Sequence, residues 1–204
     1  IFTNKGKVHW IKAYEIPESS KHSKGKHIAN LLKLEKDENI NAVLSVAKFD
    51  ANKFIIAATK NGLIKKTNLE EYSNPRYGGI KAINLKNNDE LVDVKITDGN
   101  STVVLATSNG FALKFNESYV RPMGRSAAGV KGIKLKDGHL IGMEIILPSQ
   151  FIFTVTENGI GKRTGENLYP LTRRGNKGVI NIKINEKTGK AAAIRAVYEN
   201  DELI

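Results

Sequence analysis

A repeat dominates this chain. The segments TNKGKVHWIK (3–12), TKNGLIKKTN (59–68), TSNGFALKFN (107–116) and TENGIGKRTG (156–165) align on Gly6, Gly62, Gly110 and Gly159, at intervals of about 50 residues. A fixed period of this length marks a repeat architecture, in which each unit is one supersecondary element that hides its apolar surface only against its neighbours. The last three anchors are Asn-Gly pairs, each preceded by an apolar run, FIIAAT, VVLAT or FIFTVT, and followed by a second short strand-like run. Asn-Gly suits the two positive φ values of a type I′ turn, so a tight hairpin is expected at each anchor.

A second set of landmarks, KGKHIANLLKL, YGGIKAINLK, AAGVKGIKLK and NKGVINIKI, aligns on Gly25, Gly79, Gly129 and Gly178. Alternation at Ile80, Ala82, Ile83 and Leu85 predicts a third strand, and LVDVKI or LIGMEI after an acidic turn predicts a fourth. No stretch keeps a helical apolar period for three turns. The expected fold class is therefore all-β, a propeller-like repeat of four-stranded blades with units at about 1–50, 51–98, 99–148 and 149–204. The out-of-phase start gives the chain the look of a piece cut from a longer repeat domain.

Between hairpin and third strand every unit carries a Tyr and then a Pro: Tyr14 and Pro17, Tyr72 and Pro75, Tyr119 and Pro122, Tyr169 and Pro170. Proline cannot donate to a strand ladder, so the chain is expected to leave the sheet here and follow an edge before re-entering at the glycine. The recurrent Tyr and the single Trp, Trp10, are read as packing struts. Cations gather in the same slot: Lys21, Lys24 and Lys26, then Arg76 and Lys81, then Arg121, Arg125 and Lys131, then Arg173, Arg174 and Lys177. Just past the hairpin turns lie Lys65 and Lys66, Lys114, and Lys162 and Arg163. These positions predict a discontinuous cationic rim, with glycines that let backbone amides approach phosphate and arginines that offer it a planar fork.

The charge balance agrees, since 32 Lys and Arg against 21 Asp and Glu leave a formal charge of +11. A polyanion is the favoured partner, nucleic acid ahead of an anionic membrane. The most apolar region, 140–156, is broken by Glu144, Pro148, Ser149 and Gln150 and is no spanning helix. The absence of Cys excludes disulfide scaffolds and thiolate metal sites. His9, His22, His27 and His139 lack metal-ligand spacing, and the acidic pairs Asp37-Glu38, Asp89-Glu90 and Asp201-Glu202 recur at one turn, which points to turn chemistry. Neither a phosphate-cradling GxxxxGK[ST] nor a GxSxG turn is present, so no catalytic, metal or cofactor site is expected.

The succession TKNGLIKKTNLEEY, RYGGIKAINLKNNDELVDV, SNGFALKFNESYVRPMGRSAAGVKGIKL and TENGIGKRTGENLYPLTRRGNKGVINIKI resembles the C-terminal domain of the DNA gyrase A subunit, over essentially the whole chain. The resemblance implies a β-pinwheel, a propeller-like disc with strands exchanged between neighbouring blades, normally of six blades, of which this chain would supply about four. It implies a non-catalytic disc that wraps double-stranded DNA on its basic perimeter to support negative supercoiling. The B subunit of gyrase, together with the remainder of its partner A subunit, would be the protein partners, using ATP and Mg elsewhere, in the cytoplasm with the nucleoid and not at a membrane. The family's basic heptapeptide, Gln-Arg-Arg-Gly-Gly-Lys-Gly, belongs to the first blade; TRRGNKG (172–178) matches it at five of seven positions in a later one and is read as a counterpart. Two alternatives stand beside this reading, the C-terminal domain of a topoisomerase IV A-type subunit binding DNA crossings and a propeller-type protein-interaction module.

Overall fold

The structure, a computed structural model, describes residues 1–86 and 88–202. It is built of strands and short 3-10 turns, with no α-helix among the described residues. The first repeat gives β1 (Phe2–Thr3), β2 (Lys7–Val8) and β3 (Ile40–Ala42). The second gives β4 (Phe54–Thr59), β5 (Leu63–Asn68), β6 (Ile80–Lys81) and β7 (Leu91–Thr97). The third gives β8 (Thr102–Thr107), β9 (Phe111–Asn116), β10 (Val130–Lys131) and β11 (Leu140–Ile146). The fourth gives β12 (Phe151–Thr156), β13 (Gly161–Gly165), β14 (Leu171–Thr172), β15 (Val179–Ile180) and β16 (Ala191–Val197).

Four sheets result, ordered β3-β1-β2-β6, β10-β5-β4-β7, β11-β8-β9-β14 and β13-β12-β16, with β15 also on β9. The short third strand of the second, third and fourth repeats therefore leaves its own hairpin and pairs with the hairpin before it: β6 on β2, β10 on β5, β14 and β15 on β9. One detail recurs at every exchange. The carbonyl of the anchor glycine accepts two successive amides of the following repeat, Ala82 and Ile83 on Gly6, Gly132 and Ile133 on Gly62, Asn181 and Ile182 on Gly110, at 2.8 and 3.2 Å each time. A side chain at the anchor would meet that incoming strand; a Cβ on Gly62 would lie 3.1 Å from both the Ile133 Cγ2 and its carbonyl oxygen.

The hairpin turn corrects the type I′ expectation. At the second anchor Gly62 N donates to Thr59 O at 2.9 Å, and only Gly62 has positive φ (+78°), Asn61 keeping a negative one. This is a three-residue loop, a type I turn closed by a left-handed glycine, and Thr59 Oγ1 accepts the Leu63 amide at 3.2 Å. The extra residue is what frees the glycine carbonyl for the exchange strand.

Both faces of the hairpin strands β4, β5, β8 and β9 are covered, because the second and third sheets each stand between two others. Ile55 and Ala57 of β4 pack toward the first sheet with Phe2, Val8, Leu69 and Tyr72, while Ile56 and Ala58 pack toward the third with Val103, Leu105 and Phe115. Val104 and Ala106 serve the next junction with Ile152 and Tyr169. The continuous apolar runs FIIAAT and VVLAT follow from this double burial. The fourth strands, β3, β7, β11 and β16, lie side by side at the inner edges. Each junction is stitched there too, Leu91 N to Asn4 O, Leu140 N to Lys60 O and Ala191 N to Ser108 O, all 2.9 Å.

Two expectations about strands are corrected. The third strands are only two residues long, since the chain turns over the anchor carbonyl immediately afterwards. Among the described residues the first repeat has no third strand; its KGKHIANLLKL segment forms a 3-10 turn at Ile28–Asn30, capped by His27, whose Nδ1 accepts the Ala29 amide at 3.2 Å.

Candidate nucleic-acid interface

The exchange strands are the outermost strands of their sheets, so residues on them and on their approaches face outward by construction. Lys81 on β6 sits opposite Lys7, and Lys131 on β10 sits opposite Leu63; Lys81 and Lys131 are exposed. Before β10 the chain follows the edge of β5, as its proline predicted: Pro122 bridges Lys66 in parallel register, and Met123 N donates to Lys66 O at 2.9 Å. That segment presents Arg121, exposed, and Arg125, half-buried. In the fourth repeat the same path is a parallel strand, β14, and its connector to β15 presents Arg173, Arg174 and Lys177.

The arginine four residues before the second glycine reaches back over the junction. Arg125 Nη1 donates to Lys81 O at 3.4 Å, and Arg174 Nη1 to Lys131 O at 3.0 Å while its Nε donates to Tyr119 O at 2.8 Å. Cations of adjacent repeats are thereby gathered at each junction. Arg173 lies over the Tyr119 ring at 5.8 Å and Lys177 over Phe111 at 4.0 Å, contacts that fix the charges while leaving both residues exposed. Arg76 is exposed on the turn into β6, and Lys24 and Lys26 are exposed on the irregular segment of the first repeat. Lys162 and Arg163, on β13, are exposed; Lys162 Nζ donates to Asn181 O at 3.1 Å, and Arg163 donates to Glu199 O at 2.8 Å over the Phe151 ring.

Three of the sixteen predicted rim cations are not on the rim. Lys65, Lys66 and Lys114 are 1%, 4% and 8% exposed. The reason is the double burial of the hairpin strands, which leaves no solvent face on β5 or β9. Their ammonium groups are spent inside. Lys65 Nζ donates to Ala82 O and Arg125 O at 2.5 Å each. Lys66 Nζ donates to Glu117 O at 3.1 Å and lies 3.7 Å from its Oε2; Lys114 Nζ donates to Glu166 O and Oε2 at 2.7 and 2.8 Å.

These bolts were legible in the repeat. The residue four past each anchor is Trp10, Lys66, Lys114 and Arg163; the residue seven past the following anchor is Leu69, Glu117 and Glu166. Apolar faces apolar at the first junction, where Trp10 and Leu69 share one cluster, and Lys faces Glu at the next two. The tyrosine struts need the same count. The buried strut lies ten past the anchor, at Tyr72, Val120 and Tyr169, so Tyr119 at nine and Tyr14 at eight are exposed, 45% and 83%. The inner edge carries an ionic ladder that pattern reading missed: Lys95 Nζ lies 3.1 Å from Glu144 Oε2 and 3.8 Å from Asp93 Oδ2, and Arg195 Nη1 donates to Glu144 Oε1 at 2.8 Å. Burial pushes the Asp93 carboxyl above its ordinary range. Among the described residues no group of His, Asp or Glu is placed to hold a metal ion, and no helix is long and apolar enough to cross a membrane.

A set of radially stacked sheets with exchanged third strands, inner-edge fourth strands and cations at the outer junctions defines a propeller-type repeat protein with a basic perimeter. The family described as DNA gyrase C-terminal domain, beta-propeller, matches residues 1–47, 53–98, 101–146 and 150–197, and the chain belongs to it. The DNA gyrase A protein of Clostridium acetobutylicum is 47% identical over 204 residues, and that of Lawsonia intracellularis 42% over 208; in both the match takes in 100% of this chain and 25% of the relative. The chain thus spans about a quarter of these relatives. Among solved structures, the C-terminal domain of DNA topoisomerase IV superposes with a TM-score of 0.89 at 33% identity, covering 97% of this chain and 62% of that one. The DNA gyrase A C-terminal domain superposes with a TM-score of 0.84 at 27% identity, covering 98% and 65%.

Proposed function

We propose that this chain bends and wraps duplex DNA along its outer edge, as the non-catalytic wrapping module of a gyrase A protein. The observation that carries the reading is the recurrence of exposed cations on the exchange strands and their approaches, Lys81, Arg121, Lys131, Arg173 and Lys177, at successive junctions. A stiff anionic polymer following that edge meets a charged station at each. Smoothly bending 20 to 30 base pairs by 40 to 90° costs on the order of 1 to 6 kcal/mol. Neutralising phosphates offsets it through counterion release, with log K falling by about 0.9 per contact per log unit of salt. Five such contacts give a slope of about −4.5. Contacts of this kind fix position and carry no base code, so binding tolerates sequence and favours bendable DNA.

In this reading the gyrase B protein and the rest of the gyrase A protein are the partners, strand passage with ATP and Mg takes place in them, and the chain works in the cytoplasm on the nucleoid. The test relaxes a nicked plasmid with bound protein, ligates it and reads the linking number, alongside duplex affinity from low to high salt. A shift in linking number with a steep salt response supports wrapping. A flat salt response rules it out. The likeness to the topoisomerase IV domain favours a second reading, binding to DNA crossings, for which the same assay gives salt-dependent affinity without a linking-number shift.

A further inference from the structure

Lys65 is the least exposed of the buried lysines and the one whose acceptors lie on two repeats. One, Ala82 O, belongs to its own repeat and also accepts from the Tyr72 hydroxyl at 3.5 Å. The other, Arg125 O, belongs to the rim segment of the third repeat, in the middle of the stretch that presents Arg121 and Arg125. Few other bonds hold that stretch to the second repeat: Met123 N to Lys66 O at 2.9 Å, Arg125 N to Glu71 Oε2 at 3.2 Å, Arg125 Nη1 to Lys81 O at 3.4 Å, and Asn84 N to Ala127 O at 3.1 Å. At the next junction the position of Lys65 is taken by Leu113, which has no donor. There the rim segment is held by the β14 pairing, by the Arg174 guanidinium and by Gly175 N on Gly132 O, none of which can change protonation near neutrality.

We propose that Lys65 is a positioning residue for the rim segment of the following repeat, a buried latch whose Nζ, hydrogen-bonded to Ala82 O and Arg125 O, holds the stretch that presents Arg121 and Arg125. The groups facing it are Glu71 and Tyr72 on the 3-10 turn of its own repeat and Arg125 on the segment itself. Burial pulls the Lys65 ammonium down to about 7, with Glu71 opposing and Arg125 adding to the fall. The consequence for DNA rests on the wrapping reading; the consequence for the segment does not.

The experiment measures hydrogen exchange of the whole chain, wild type against Lys65→Met, at the Asn84, Met123 and Arg125 amides that cross this junction. The expected result is protection about tenfold lower in Lys65→Met, with Gly175 and Lys134 of the next junction unchanged. Lys65→Leu, which places here the residue type the next repeat carries at Leu113, decides the matter if Lys65→Met does not fold. Unchanged protection at these three amides overturns the latch. In DNA titrations Lys65→Met should lower the salt slope by up to about 1.8, two phosphate contacts. Its effect should not add to that of Arg121→Ala with Arg125→Ala; additive effects overturn the positioning role. If the chain binds no DNA the wrapping reading fails, and the exchange data still decide the latch.

Discussion

Lys66→Met separates a buried bolt from a DNA contact. The side chain is 4% exposed, lies 5.2 Å from the Phe54 ring centroid, and places its ammonium 3.7 Å from Glu117 Oε2. Glu117 is itself fully enclosed, taking Thr97 Oγ1 at 2.8 Å, Gly99 N at 3.1 Å and Ser101 N at 2.7 Å. Methionine fills the volume of the stem but leaves this carboxylate without its counter-charge, and removing one partner of a buried pair costs about 3–5 kcal/mol. The three remaining donors to Glu117 place the cost at the low end, about 3 kcal/mol. For a chain of this size that lowers the melting temperature by about 6 to 12 °C. Calorimetry measures that change, and DNA titration across salt supplies the second axis, on which the slope should stay at the wild-type value. A variant that melts with the wild type but loses about 0.9 in slope would mean that Lys66 reaches phosphate, and the assignment of the hairpin lysines to the interior would be wrong.

The converse holds on the rim: Lys131→Ala or Arg173→Ala should each lower the salt slope by about 0.9 with little change in melting temperature, and a large melting shift with an unchanged slope would refute their placement. Gly62→Ala and Gly159→Ala share a positive φ, +78° and +77°, but only the first has an exchange strand against it. Urea titration should show a loss of about 1–2 kcal/mol at Gly159 and roughly 1–3 more at Gly62; equal losses would deny the anchor glycines their packing role. The Lys65 ammonium, at about 7 in the folded chain, is depressed below its value of 10.5 when unfolded. Between those values the unfolded chain holds the extra proton, so this group makes stability rise with pH across that window, by at most about 1.4 kcal/mol per unit. The urea midpoint of the wild type should accordingly rise relative to that of Lys65→Met from pH 7 to 10, and a constant difference would refute it.

The sequence by itself determined the architecture. Glycines at a fixed interval, doubly apolar strands and a proline that steers the chain along an edge left only stacked β units with a recurring basic slot. It also carried the inter-repeat bolts, readable as Trp10 with Leu69 and Lys66 with Glu117, although the lysines were taken for rim contacts. What it could not decide was the direction of a lysine on a strand buried on both faces, because charge implies solvent only when a solvent face exists. Strand exchange, which the family resemblance implied in general, takes its register only in the tertiary structure, where it puts β6, β10 and β15 outermost and β5 and β9 inside. Lys81 and Lys131 therefore point out, and Lys65, Lys66 and Lys114 point in. The sheet that receives a strand is a long-range choice, set by which hairpin edge lies free for pairing, and no local pattern encodes it.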